Sequence, residues 1–139
     1  MTKPVILTIR NEASTLFESI DNLEVPHQPD MHIIDVMEMA YGQADVNGNK
    51  IEQLVTRYYG EEMGYLIIMI NSVWEGYSLI KEPAMDAAET RYMYWGLKVN
   101  GQHVETNMKK LKINPGDHIL FEFIADVADS GDIPSSRRH

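Results

Sequence analysis

Residues 91 to 104 constrain this chain more than any other stretch. From Arg91 to Val99 the side chains fall into two sets, Met93, Trp95, Leu97 and Val99 on one face and Tyr92, Tyr94, Gly96 and Lys98 on the other. A period of two is that of a strand, whose successive side chains point to opposite sides of a sheet. Asn100-Gly101 follows directly, and both residue types tolerate the positive φ of a tight two-residue turn. The predicted return is Gln102-His103-Val104. A chain holding this hairpin folds around a sheet.

The other segments are read for what joins that sheet or packs on it. Val5 to Arg10 is rich in β-branched residues and puts Val5, Leu7 and Ile9 on one face, which predicts a first strand. Leu16 to Ile20 is the expected return strand of a hairpin, before Pro26 and Pro29 stop regular structure. Asp30 stands where a helix N-cap is expected, and Ile33, Ile34, Met37, Ala40 and Tyr41 recur at helical spacing until Gly42 offers a stop. The polar side of this helix carries Asp35 and Glu38. Ile51 to Tyr59 fits either period, and its β-branched and aromatic content favours a strand. Tyr65 to Ile70 is apolar on both parities, as expected of a central strand covered on both sides. Val73 to Thr90 reads as a long loop with one helical turn, a length often tied to function. Asn114-Pro115-Gly116-Asp117 is a turn, and His118 to Ile124 the last strand, with Ile119, Phe121 and Phe123 facing in. The predicted organisation is one α+β domain over 1–125 and a polar tail over 126–139 that lacks any apolar period.

Composition narrows the function. A chain of 139 residues with a formal charge of −9 repels phosphate backbones and anionic surfaces, so nucleic-acid binding is not expected. No apolar run reaches the roughly 18 to 20 residues of a bilayer span, which argues against membrane insertion. There is no cysteine, hence no disulfide, thiolate metal site or thiol catalysis. Met1-Thr2-Lys3-Pro4 leads into a strand instead of a signal peptide. Two addresses fit that start: extracellular or cell-surface for the mature part of an exported protein, cytoplasmic for the chain as it stands.

Tyr94-Trp95-Gly96-Leu97-Lys98-Val99-Asn100-Gly101, then Leu111 and Pro115-Gly116-Asp117-His118-Ile119-Leu120-Phe121, resembles the C-terminal β-grasp domain of the transcobalamin and intrinsic-factor family. Bacterial relatives of that family are known as domains of unknown function. The first strand, the helix at His32 to Ala40 and the Gly64-Tyr65 to Ile70-Asn71-Ser72-Val73 strand and turn fall in the family's order. The resemblance implies a β-grasp (ubiquitin-like) mixed sheet packed on one main helix, with a long loop insertion and adjacent, parallel first and last strands. It implies recognition of a soluble ligand or a surface, since in the transcobalamins this domain helps to enclose a cobalamin. The chain lacks the helical barrel that forms the other wall of that site, so no cofactor is expected and cobalamin enters through the resemblance alone.

The candidate ligand-binding residues are aromatic. Trp74 and Tyr77 flank Gly76 in the predicted loop, and Tyr92 and Tyr94 share the sheet face opposite Trp95, whose parity places it in the core. Exposed aromatic rings stack on flat ligands and on sugars. Asp45-Val46-Asn47-Gly48-Asn49-Lys50 starts like a calcium loop, but Lys50 stands where glycine is required and Thr56 where a bidentate acid is required, so a plain Asn-Gly turn is expected. The five histidines, His27, His32, His103, His118 and His139, have no metal-ligand spacing. No nucleophile elbow, phosphate loop or dinucleotide fingerprint occurs, and Glu61-Glu62 reads as a solvated turn. Most of the nine methionines are expected as core filler. The expected function is thus a non-enzymatic binding module for a small soluble ligand, cobalamin-like or carbohydrate, or for a surface. The alternative is a protein-interaction module, or a homo-oligomer, that pairs through a sheet edge.

Overall fold

The structure, a computed structural model, describes residues 3–11, 19–58, 60–61, 64–80, 87–104 and 111–127. It is a mixed α+β arrangement, mostly sheet with one helix among the described residues. Strand β1 (Val5–Asn11) pairs antiparallel with β2 (Ile20–Val25), and helix α1 (Ile33–Ala40) follows. Strands β3 (Leu54–Tyr58), β4 (Tyr65–Ile70) and β5 (Val73–Trp74) form a small sheet in that order. Strands β6 (Gly76–Ile80), β7 (Glu89–Val99), β8 (Gln102–His103) and β9 (His118–Val127) join the first hairpin. The main sheet runs β2-β1-β9-β7-β6, with β8 paired to β7.

The first and last described strands meet in the middle of the main sheet. Strand β1 lies parallel to β9, from Ile6 opposite His118 to Asn11 opposite Phe123. On its other side β9 runs antiparallel to β7, from Arg91 opposite Val127 to Val99 opposite Ile119. Alternation then gives the main sheet one apolar face: Val5, Leu7 and Ile9, Phe121 and Phe123, and Trp95 and Leu97 are all buried. Helix α1 lays Ile33, Val36, Met37 and Ala40 on that face beside β1 and β2, and leaves Asp35 and Glu38 outside. Trp95 lies in the core as its parity predicts, its ring 5.0 Å from that of Phe123 and its indole N–H donating to the Val73 carbonyl at 3.0 Å.

The two predicted turns hold. Asn100 and Gly101 have φ of 53° and 83°, the positive pair that joins β7 to β8. In the second turn the Asp117 N–H donates to the Asn114 carbonyl at 3.1 Å. Strand β4 is central in its own sheet and buried from Leu66 to Ile70 on both parities.

Four expectations shift. In the predicted loop over 73–90 the residues 76–80 are strand, because β6 pairs along its length with β7, from Gly76 opposite Met93 to Ile80 opposite Glu89, while 81–86 lie outside the described residues. Such pairing is set by a partner strand and not by local alternation, which Gly76 interrupts. The expected helical turn near Asp86 lies outside the described residues. The hairpin return runs over Ile20–Val25, while Leu16 to Glu18 lie outside the described residues. The helix starts at Ile33 with His32 as N-cap, because Asp30 has a φ of 57° in the preceding turn and pairs there with Lys112 at 3.3 Å. Strand β9 continues past Ala125 to Val127, held by Arg91 and Tyr92 of β7, and 128–139 lie outside the described residues.

Candidate functional site

Of the four candidate aromatic residues, Tyr77, Tyr92 and Tyr94 are joined by ring contacts, and Trp74 lies three residues before Tyr77 at the passage from the small sheet to the main one. Trp74 ends β5, opposite Met69 of β4, and Tyr77 stands in β6 opposite Tyr92 of β7. Between them Gly76 has a φ of 153°, which side-chain-bearing residues rarely adopt, and there the chain changes sheets. Three residues of extended chain separate Trp74 from Tyr77 by at most about 11 Å.

Trp74 is 54% exposed and Tyr77 66% exposed. Tyr92 and Tyr94 are each 6% exposed, so the exposed pair expected on β7 is buried instead. Strand parity assigned their face but carried no information about its cover. The rings still form a series: Tyr77 meets Tyr92 edge-on at 4.9 Å, and Tyr92 stacks near Tyr94 at 6.2 Å.

The segment carrying the two exposed rings is pinned from below. The Val73 carbonyl accepts the Trp95 indole N–H, and the Glu75 N–H donates to the Ile68 carbonyl at 2.7 Å. The Tyr92 hydroxyl donates to the Glu75 carboxylate. These contacts tie residues 73 to 77 to β4 and to β7 and hold Trp74 and Tyr77 on a fixed backbone. Sequence reasoning missed Glu75, whose role depends on Tyr92, 17 residues away.

The structure adds a second feature, a cleft of about 660 Å³ between α1 and the β3-β4 pair. His32, Ile34, Asp35 and Glu38 of the helix line it, with Leu54, Thr56 and Tyr65 of the small sheet. No sequence motif marks it, since its walls come from two elements that are brought together by folding.

The remaining candidates are structural. Asp45 accepts the N–H groups of Asn47 at 2.8 Å, Asn49 at 2.9 Å and Asp21 at 2.9 Å, and the Asn49 amide donates to the Ser19 carbonyl. The Asp21 N–H above all, with those of Asn49, Asn47 and Gly48, holds this carboxyl below its ordinary value, against an opposing desolvation. The would-be calcium loop is thus an Asx turn tied to β2. His27 Nε2 lies 2.8 Å from the Ile113 carbonyl. Among the described residues no group of three His, Cys, Asp or Glu side chains is placed to hold a metal ion, and no helix is long and apolar enough to cross a membrane. No protein family, no curated protein and no solved structure matches this chain.

Proposed function

We propose that this chain is a non-enzymatic binding module of β-grasp type that presents Trp74 and Tyr77 to the flat or apolar face of a soluble ligand, such as a sugar ring. The observation that carries the reading is the anchoring of an exposed pair. Two large aromatic rings stand in solvent on a backbone that Trp95, Ile68 and Tyr92 hold in place. A fixed aromatic surface loses little conformational freedom on binding, which is what makes such rings effective contacts. Tyr92 and Tyr94 act beneath that surface as supports.

Strand pairing supports the β-grasp part of this reading, whereas the likeness to the transcobalamin-type domain rests on the sequence motifs alone. The parallel pair β1-β9 and one helix packed on the main sheet are features the resemblance implies. A second reading, pairing with a protein partner or another copy of the chain, is favoured by the position of β6 at the end of the main sheet, beside the same aromatic pair.

Tryptophan fluorescence separates the two. Trp95 is buried, so a change on adding ligand reports on Trp74. Titration with a panel of mono- and disaccharides, and with cobalamin, is expected to give a saturable change that is absent in Trp74→Phe. Tyr77→Ala is expected to bind at least about tenfold more weakly, the loss typical of a stacking contact. Flat titrations, with a sedimentation coefficient that rises with protein concentration and returns to that of a monomer in Trp74→Ala, would replace the small-ligand reading by the edge-pairing one.

A further inference from the structure

We propose that the cleft between α1 and the β3-β4 pair is a second binding site, for a small organic cation: an amine or guanidinium carried on an apolar body. Its size comes first. At about 660 Å³ it falls within the range of small-molecule sites.

Its chemistry comes from two opposed walls. On the sheet side Leu54 and Tyr65 offer apolar and aromatic surface, and the Tyr65 ring lies 5.1 Å from that of Tyr58, its register partner across β3 and β4. Leu54 and Thr56, two apart in β3, line the cleft together, while the register irregularity falls in β4, where Ile68 is the extra residue. On the helix side Ile34 continues the apolar surface, and Asp35 and Glu38 supply two carboxylates.

Neither Lys nor Arg is among the described lining residues. The two acids differ in how far they are satisfied. Asp35 accepts the His32 N–H at 2.9 Å and lies 3.8 Å from the His32 ring. The Glu38 side chain is exposed and has neither an ion-pair nor a hydrogen-bond partner among the described residues. A cleft that an unpaired carboxylate and an aromatic ring both line is complementary to a cation on an apolar body, which gains from the carboxylate and from the ring. The net charge of −9 raises the local concentration of such a ligand further. An anion of the same shape meets repulsion from both acids.

The test uses three isosteres, phenethylammonium, 2-phenylethanol and phenylacetate, titrated into the ¹⁵N-labelled full chain and followed by amide chemical shifts. Phenethylammonium is expected to move the amides of Ile34, Glu38, Leu54 and Tyr65, with 2-phenylethanol weaker by about tenfold and phenylacetate without effect. Glu38→Gln, an exposed change that leaves the buried face of α1 intact, is expected to weaken the cation about fivefold, and 0.5 M salt to weaken it similarly. Trp74→Phe is expected to leave it unchanged. Equal binding of the three isosteres, shifts confined to other residues, an unaltered affinity in Glu38→Gln, or no shifts at all would overturn the proposal.

Discussion

Asp117 shows how one side chain joins two turns. It is buried, and its carboxylate accepts the Asn114 N–H at 2.8 Å and the Asn100 amide at 2.9 Å, while Asn100 accepts the His118 N–H at 2.8 Å. Asp117→Ala leaves those donors unsatisfied at the start of β9 and is expected to cost about 1 to 3 kcal/mol, read as a lower urea midpoint at unchanged slope. Asp117→Asn keeps one acceptor and is expected to cost less. Asp45 makes the matching pH prediction. Its pKa is lowered on folding, so the stability it contributes is present above the ordinary value of 3.8 and is lost as the pH falls through the lower folded value. Asp45→Asn is expected to flatten the acid limb of the stability–pH curve in that window; an unchanged limb would show that the Asx turn does not persist in solution. At this scale the sequence was partly legible. Parity placed Trp95 in the core, but the same parity could not say that Tyr92 and Tyr94 are covered, because cover is supplied by residues distant in the chain.

Elements were legible wherever their signal is local. Strand β7, its Asn100-Gly101 turn, β1 and the buried stripe of α1 follow from alternation, helical spacing and turn chemistry within about ten residues. The segment 76–80 was not, since its partner β7 determines its structure, and the α1–β3 cleft was not, since residues 51–59 fit either period. Asn71 belongs to the same class. It has a φ of 47° after β4, its side-chain oxygen accepts the N–H groups of Glu52 at 2.7 Å and Gln53 at 3.0 Å, and its amide donates to the Lys50 carbonyl at 2.8 Å. One side chain therefore holds the approach to β3 against the end of β4. Asn71→Gly keeps the backbone angle and loses the bonds, at an expected cost of about 1 to 2 kcal/mol in thermal or urea unfolding. Asn71→Ala adds the cost of a positive φ and is expected to be worse by about 1 kcal/mol. Equal losses would mean that the turn relaxes to another angle once the bonds are gone.

The whole molecule is organised around β9. It lies between β1 and β7 and pairs with both, so its backbone groups are bonded on either side, while its inward residues Ile119, Phe121 and Phe123 pack in the core that α1 covers. The small sheet is joined differently. Ile67, Ile70 and Val73 reach into that core, but β3 lies at the small sheet's edge, with Thr56, Arg57 and Tyr58 exposed. Opening β3 breaks one ladder and little apolar burial, whereas opening β9 separates the first hairpin from β7 and disrupts the core. Native-state hydrogen exchange is therefore expected to be slowest in β9, near the global unfolding free energy, and faster by at least about a hundredfold in β3. That difference bears on both binding proposals. The aromatic pair at 74 and 77 hangs on β4 and on β7 within the more stable part, so its geometry is set before a ligand arrives. The cleft has β3 as one wall, and a ligand that fills it is expected to slow exchange in β3 selectively. Uniform exchange rates across β3 and β9 would mean that the two sheets unfold as one unit, and β3 would then show no such selective response.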